Sequence, residues 1–435
     1  MSSEASRPTQ VAMTQLEVPD YELGLRGKLL HPDKLTGSSL ATFCTIVYGL
    51  SLADEVTDTP FSNAKNGYPD AAVKPDESTR VTLPWRGSTD AVIVDMVDAD
   101  GELFAASPRS VLKQLLKRYD AMGLSPVLGF EYEFWIFYED EAGDPRSMRP
   151  LGRTENAYSL SRSAEISTLA QEFIDRMEHI GAPVEAFHSE LGPGFFEFAM
   201  APRPALQAAD GAARARQYMR ELCAEWGFKA SFMAKPFADR SGAGGHVHSS
   251  IESNGKNVFA SGPGQLSDLG QSFVAGLIDT MGEFAVLFNP YVNSYKRIDP
   301  EMFVADRASW GLDDRTSACR LLLESTSGAR VENRVPGADA NPCLVAVGLL
   351  AGGLIGIEKE MTLPVDSRIE AAAKLPLNLT AAVDLFLKSA RIRETLGDTL
   401  VDAFGATRRA EVQRYESWLR NHISDWELSR HLEHQ

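Results

Sequence analysis

Residues 129–137 read GFEYEFWIF. Side chains two apart on a strand point to the same face. Glu131 and Glu133 therefore share one face, while Phe130, Tyr132 and Phe134 take the other. Two carboxylates side by side in an otherwise apolar strand repel and are costly to bury. Taken alone, such a pair can line a solvated edge. The alternative is a bound cation, and the same period-two placement of polar groups recurs elsewhere.

In FHSELGPGFFEF (187–198) Glu190 precedes Glu197 across a Gly-Pro-Gly turn. GGHVHSSI (244–251) aligns His246, His248 and Ser250, and ARVENRVP (329–336) aligns Arg330, Glu332 and Arg334. Five carboxylates and a histidine placed in this way favour the cation reading. Oxygen-rich sets with little nitrogen suit magnesium or manganese better than zinc. Two ions would offset most of five negative charges. The arginines supply a second component. Arg297 follows NSYK, Arg315 and Arg320 flank TSAC, and Arg330 and Arg334 bracket Glu332. Such fork-shaped donors recognise phosphate and carboxylate. No G-x-x-x-x-G-K-[ST] occurs, so a nucleotide site here is not a P-loop.

Outward from these runs, the chain divides by pattern. Residues 1–20 are polar and read as a loose tail. Residues 21–106 are turn-rich and strand-like. ATFCTIVYGL (41–50) and DAVIVDMVD (90–98) are β-branched runs separated by FSNAKNGYPD and KPDEST, which predicts a small, mostly β domain. At Ser107 the character changes. Ser107 suits an N-cap and Pro108 the first helical position, and apolar residues from Val111 to Met122 follow at helical spacing up to Gly123. A strand over 127–138 and a helix over 206–226 are predicted next, and an amphipathic stretch covers 410–422. Residues 107–435 thus read as an α+β domain. The apolar run 343–357 is too short to span a bilayer and reads as a buried helix.

The chain has 435 residues and a net charge of −17, from 43 basic and 60 acidic groups. That balance argues against a nucleic-acid or anionic-membrane partner. Four scattered cysteines without C-x-x-C spacing, and an N-terminus without a signal-peptide pattern, point to a cytoplasmic location.

The runs FEYEF, SELGPGFFE, KPFADRSGAGGHVHSS, NSYKR and RVENRVPGADANP occur in this order, and together they resemble the glutamine synthetase family. The likeness extends from about residue 25 to the end. RGK, GYPD, KPDEST, PW, SPRSVLK, GADANP and SDWE are similar to its γ-glutamylpolyamine and γ-glutamylamide synthetase branch. The resemblance implies an N-terminal β-grasp domain, an α+β catalytic domain, and stacked homo-oligomeric rings, commonly dodecamers, with active sites between neighbours. It implies that Glu133, Glu190 and Glu197 hold one metal and Glu131, His246 and Glu332 a second, as Mg2+ or Mn2+. Ser241, Gly242, Arg297 and Arg334 would bind L-glutamate. His248, Ser250, Arg315, Arg320 and Arg330 would bind ATP or stabilise the moving phosphoryl group, with Arg315 in a catalytic role. The implied reaction passes through γ-glutamyl phosphate, which an amine then attacks.

Several positions depart from the family pattern. A glutamate expected six residues after Arg297 is Phe303, and Glu301 could replace it only through a rearranged loop. A glutamine expected two residues before Glu197 is Phe195. Ser241 stands where an asparagine is usual. The ammonium-site aspartate has two candidates, Asp54 and Asp58, in the loop 52–67. Phe195 and Phe303 make an amine pocket of apolar character. An alkyl or aromatic amine, such as isopropylamine or aniline, is expected ahead of a polyamine or ammonium, with a non-catalytic ring protein as the distant alternative.

Overall fold

The computed structural model describes residues 11–22, 24–34, 41–87, 89–139, 147–365 and 369–433. A mixed sheet comes first: β1 (Thr14–Pro19), β2 (Leu25–Leu30), β3 (Thr42–Cys44), β4 (Asp70–Pro75), β5 (Val81–Leu83) and β6 (Thr89–Val97). Its order is β2-β1-β6-β4-β3, with β5 also on β6. The β1–β6 pair is parallel and the others are antiparallel. β6 is buried from Ala91 to Val97, as its continuous apolar run requires.

Two expectations for this region fail. Residues 14–19 are a buried strand, not part of a loose tail; residues 1–10 lie outside the described residues. Leu16 and Val18 are fully buried, and Glu17 between them is held by an ion pair to Arg214 at 2.8 Å. The run 41–50 is strand only at Thr42–Cys44 and then turns as a 3-10 helix, Thr45–Tyr48. Tyr48 there packs against Tyr21, Phe61 and Phe104, so ring packing overrides β propensity.

The chain then passes through α1 (Pro108–Ala121), β7 (Ser125–Tyr138), α2 (Leu160–Glu165), α3 (Ser167–His179), β8 (Val184–Ser189), β9 (Phe195–Met200), β10 (Arg203–Pro204) and α4 (Ala205–Glu225). β11 (Phe228–Ser231), β12 (Gly245–Ser253), β13 (Lys256–Asn257), β14 (Ala260–Gly262), β15 (Gln265–Leu266) and α5 (Asp268–Phe288) follow. β16 (Trp310–Leu312), β17 (Cys319–Leu322), β18 (Arg330–Asn333), α6 (Pro342–Glu358), α7 (Leu379–Lys388), α8 (Ala390–Leu396), α9 (Asp398–Arg420) and α10 (Asp425–His431) complete the described chain. The large sheet runs β16-β17-β18-β12-β7-β9-β8.

Helix α6 is apolar all round and buried except at its C-terminal end, as a core helix should be. It packs on α5 at very short range. A Cβ on Gly356 would lie 2.0 Å from the Ser272 carbonyl oxygen and 2.7 Å from Gly276 Cα. Among the described residues, α5 alone is long and apolar enough to cross a membrane, and 67% of its most apolar window is buried within this core. Arg109 of α1 joins the two sheets' surroundings. It is buried and pairs with Asp95 of β6 (2.7 Å), Asp76 (2.9 Å) and Asp210 of α4 (2.7 Å).

Candidate active site

Antiparallel register assembles the site. Residues directly opposite each other in such a pair project to one face. β7 sets Glu131 opposite His246 of β12 and Glu133 opposite Glu197 of β9. β9 in turn sets Glu197 opposite His188 of β8. β12 sets His248 opposite Glu332 of β18, which faces Arg320 of β17. Side chains from six strands and their loops thereby meet over one face of the sheet, around a cavity of about 430 Å³.

Two clusters form. In one, His188 Nε2 lies 3.0 Å from Glu190 Oε1 and 3.2 Å from Glu197 Oε1. Glu133 lines the same cavity and accepts a bond from the Gly244 N–H at 2.6 Å. In the other, His246 Nδ1 lies 3.1 Å from Glu131 and 3.7 Å from Glu332. His248 Nε2 approaches Glu131 Oε2 at 3.4 Å. Potential ligand atoms of His188, Glu190 and Glu197, and separately of Glu131, His248 and Glu332, lie within 4.8 Å of one another.

The electrostatics show what the protein leaves uncompensated. Burial, and then the charges of Glu131, Glu133, Glu190 and Glu332, push the Glu197 carboxyl far above the usual carboxylate range. Burial acts the same way on Glu131 and Glu332. The two histidines hold Glu131 well below its usual value, and His246 and Arg334 hold Glu332 down. A carboxylate set this crowded, with His188 beside one group and His246 and His248 beside the other, fits hard divalent cations.

Arginines close the other side. Arg334 donates to Glu332 Oε1 at 2.5 Å and Arg320 to Glu332 Oε2 at 3.1 Å. Arg297 is buried, and its Nη1 donates to the Val335 carbonyl at 3.0 Å. Burial pushes its guanidinium down to about 10. Gly242 must lack a side chain, because a Cβ there would lie 2.6 Å from Arg297 Cγ and 2.8 Å from the Ala234 carbonyl oxygen. Ser241, Gly242 and Arg315 line the cavity with Phe195 and Phe303. Ser250 sits further along β12. Arg330 is exposed and joins the cluster through a 3.3 Å bond from its Nε to His248 Nδ1.

Three expected residues lie elsewhere. Asp54 is 81% exposed and pairs with Arg26 at 3.4 Å. Asp58 accepts the Tyr68 hydroxyl at 3.0 Å. Both stand on the loop of the small sheet, outside this cavity. Glu301 is exposed on the turn Pro300–Met302. Met302 and Phe303 line the cavity in its place, so the loop carries an apolar residue inward and the carboxylate outward. Two polar lining residues beside the carboxylates escaped the sequence reading. His188 is two residues before Glu190, and its same-face spacing was the available signal. Tyr158 stacks on His188 with centroids 4.9 Å apart, and nothing in the sequence marks it.

Residues 105–431 match the family described as glutamine synthetase, catalytic domain. The chain belongs to the glutamine synthetase family. The glutamate–isopropylamine ligase of a Pseudomonas species is 34% identical over 89% of this chain and 87% of its own length. A γ-glutamylethanolamide synthetase of Streptomyces coelicolor is 32% identical over 86% and 81%. A γ-glutamylputrescine synthetase of Escherichia coli is 31% identical over 78% and 74%. The solved structure described as apo GmaS without ligand superposes with a TM-score of 0.82 at 26% identity, covering 97% of both chains. Within the family the chain falls in the γ-glutamylamide branch. It is an ATP-dependent ligase that forms a carbon–nitrogen bond between the γ-carboxyl of glutamate and an amine. Glutamine synthetase family enzymes work with ATP and divalent metals.

Proposed function

We propose that this ligase glutamylates a small apolar alkyl or aromatic amine, such as isopropylamine or aniline. One observation carries the reading. The carboxylates lining the cavity are Glu131, Glu133, Glu190, Glu197 and Glu332, which are the expected metal set, while Ala157, Tyr158, Leu191, Phe195, Met302, Phe303 and Val304 supply rings and aliphatic surface. Among the described residues of one subunit, no further lining carboxylate remains for the second ammonium of a polyamine.

Glu133, Glu190 and Glu197, with His188 beside them, would hold one Mg2+ or Mn2+, and Glu131, His246 and Glu332 a second. Bound there, the ions would neutralise the phosphates of ATP and polarise the transferring group. Arg297, Arg334, Ser241 and the open backbone at Gly242 would seat glutamate with its γ-carboxylate toward the nucleotide. His248, Ser250, Arg320 and Arg330 would bind ATP, and Arg315 would stabilise the phosphoryl group as it moves. The γ-carboxylate oxygen takes the terminal phosphoryl group of ATP and ADP leaves; the neutral amine nitrogen then attacks the acyl carbon, gives up one proton to a base, and phosphate leaves. The apolar lining excludes water that would hydrolyse the acyl phosphate.

The small sheet would be the family's β-grasp unit. A cytoplasmic ring of subunits would bring Asp54 or Asp58 of one copy to the cavity of the next. An amine panel with phosphate release as readout tests the specificity. Isopropylamine or aniline is expected to exceed putrescine and ammonium in kcat/KM by about tenfold or more. A higher value for either putrescine or ammonium overturns the reading.

A further inference from the structure

A second cavity, about 580 Å³ in volume, shares no lining residue with the acidic one. It lies between α4, β11, the turn at 291–296 and α9. Its size is within the range of small-molecule sites. Lys296 lines it, whereas the next residue, Arg297, lines the acidic cavity.

Two arginines one helical turn apart on α4 dominate its chemistry. Arg216 is 2% exposed. Its Nη1 donates to the Ala340 carbonyl and its Nη2 to that of Asp339, but its buried Nε has no partner. Arg220 forms no ion pair or hydrogen bond among the described residues and lies over the Phe232 ring at 5.1 Å. Arg216 lies over the same ring at 5.4 Å. Burial, and then the Arg216 charge, push the Arg220 guanidinium down to about 9.

Among the described residues, none of the cavity's three carboxylates, Glu22, Asp339 and Glu411, forms an ion pair with Arg220. Glu22 takes Arg408 and the Tyr291 hydroxyl. Asp339 accepts the Ser294 hydroxyl at 2.7 Å through one oxygen and feels the charges of Arg216 and Arg297, while Arg408 and Arg414 offset only part of the burial that raises the Glu411 carboxyl. Like charges at this spacing on a helix are destabilising, and a half-buried cation without an ion partner, as Arg220 is, adds to that cost. Such a pair next to open space is complementary to an anion. Phe232, Met233 and Tyr291 offer an apolar wall beside it.

We propose that this cavity is a second ligand site that takes a small organic anion. Its carboxylate or phosphate group sits on the Arg220 guanidinium, with the Arg216 charge one helical turn away, and its apolar body lies against Phe232, Met233 and Tyr291. The site does not depend on which amine the ligase uses.

Calorimetric titration of the assembled full chain with benzoate, phenyl phosphate and benzyl alcohol tests this. At least one of the two anions is expected to bind at about millimolar Kd or tighter, and benzyl alcohol at least about tenfold more weakly. The tighter anion identifies the head group. Arg220→Met is expected to weaken anion binding by about tenfold or more while ligation stays within about twofold. Without ligand its Tm should equal or exceed that of the wild type, because an unpaired, half-buried charge is removed. Arg220→Lys keeps a charge but loses the fork, and should weaken binding by about threefold or more. The proposal is overturned if neither anion binds at about 10 mM, or if benzyl alcohol binds as tightly as the anions. Anion affinity unchanged in both variants, or a lowered Tm in Arg220→Met, overturns it equally.

Discussion

Phe303 adopts a left-handed backbone, φ 61° and ψ 25°, at the end of the turn Pro300–Met302. A bulky side chain in that region costs about 1–2 kcal/mol, and here the strained residue lines the mouth of the cavity. Replacement by glycine removes both the strain and the ring. Phe303→Gly is expected to raise stability by about 1 kcal/mol, read as a higher Tm. It should also lower kcat/KM for isopropylamine by about fivefold or more with the KM for glutamate unchanged. A variant that is less stable, or equally active on every amine, contradicts the assignment of this residue to the amine pocket. Asp339 shows another local strain. Burial pushes its carboxyl up to about 6 despite the Ser294 bond. The folded state therefore holds its proton more tightly than the unfolded chain does, so its contribution to stability is lost as pH rises from about 4 to about 6 and is constant above that. Asp339→Asn should gain on the wild type across that window, by up to about 3 kcal/mol. Paired thermal melts from pH 4 to 8 would show the Tm gap opening and then levelling; a gap that is flat throughout removes Asp339 as the cause.

At the scale of elements, the α5–α6 contact is a backbone-to-backbone packing made possible by Gly276 and Gly356. The Cβ of an alanine at 356 would meet the Ser272 carbonyl at 2.0 Å, a contact that only separation of the helices can relieve. Overpacking of this kind typically costs about 1–3 kcal/mol. Gly356→Ala should therefore shift the denaturation midpoint downward by an amount in that range, and an unchanged midpoint would show that the helices part freely. The apolar run at 343–357 marks α6 in the sequence, yet nothing in that run indicates its partner. The strands behave differently. Their period-two polar placement marks which residues share a face, and that placement survives intact in β7, β12 and β18. Where packing competes with pattern, as at Tyr48, the strand gives way to a turn. Where polar residues alternate with only two apolar ones, as in β1, the strand signal is too weak to separate from a tail.

At the scale of the whole molecule, Asp54 and Asp58 stand outside the acidic cavity of their own subunit, so a ring in which one copy completes the site of the next makes a distinctive prediction. Glu332→Ala alone should lower turnover by about a thousandfold or more. The double variant Asp54→Ala, Asp58→Ala should be impaired through the neighbouring site. Rings co-assembled from the two variants contain some sites with both defects absent, and their activity should exceed that of either parent. No gain on co-assembly, with mixed rings verified by mass, rules out a shared site. Which carboxylates, histidines and arginines share a face was legible in the sequence, because alternation along a strand is a local property. The family was legible as well, because its runs occur in order. Tertiary structure alone decided that β7 pairs with both β9 and β12, since register depends on partners 60 or more residues away in sequence. It also turned Glu301 outward while Phe303 lines the cavity, and placed His188 and Tyr158 against the cluster. Whether a side chain faces a cavity depends on the packing of distant segments around it, and a strand's own alternation carries no record of that.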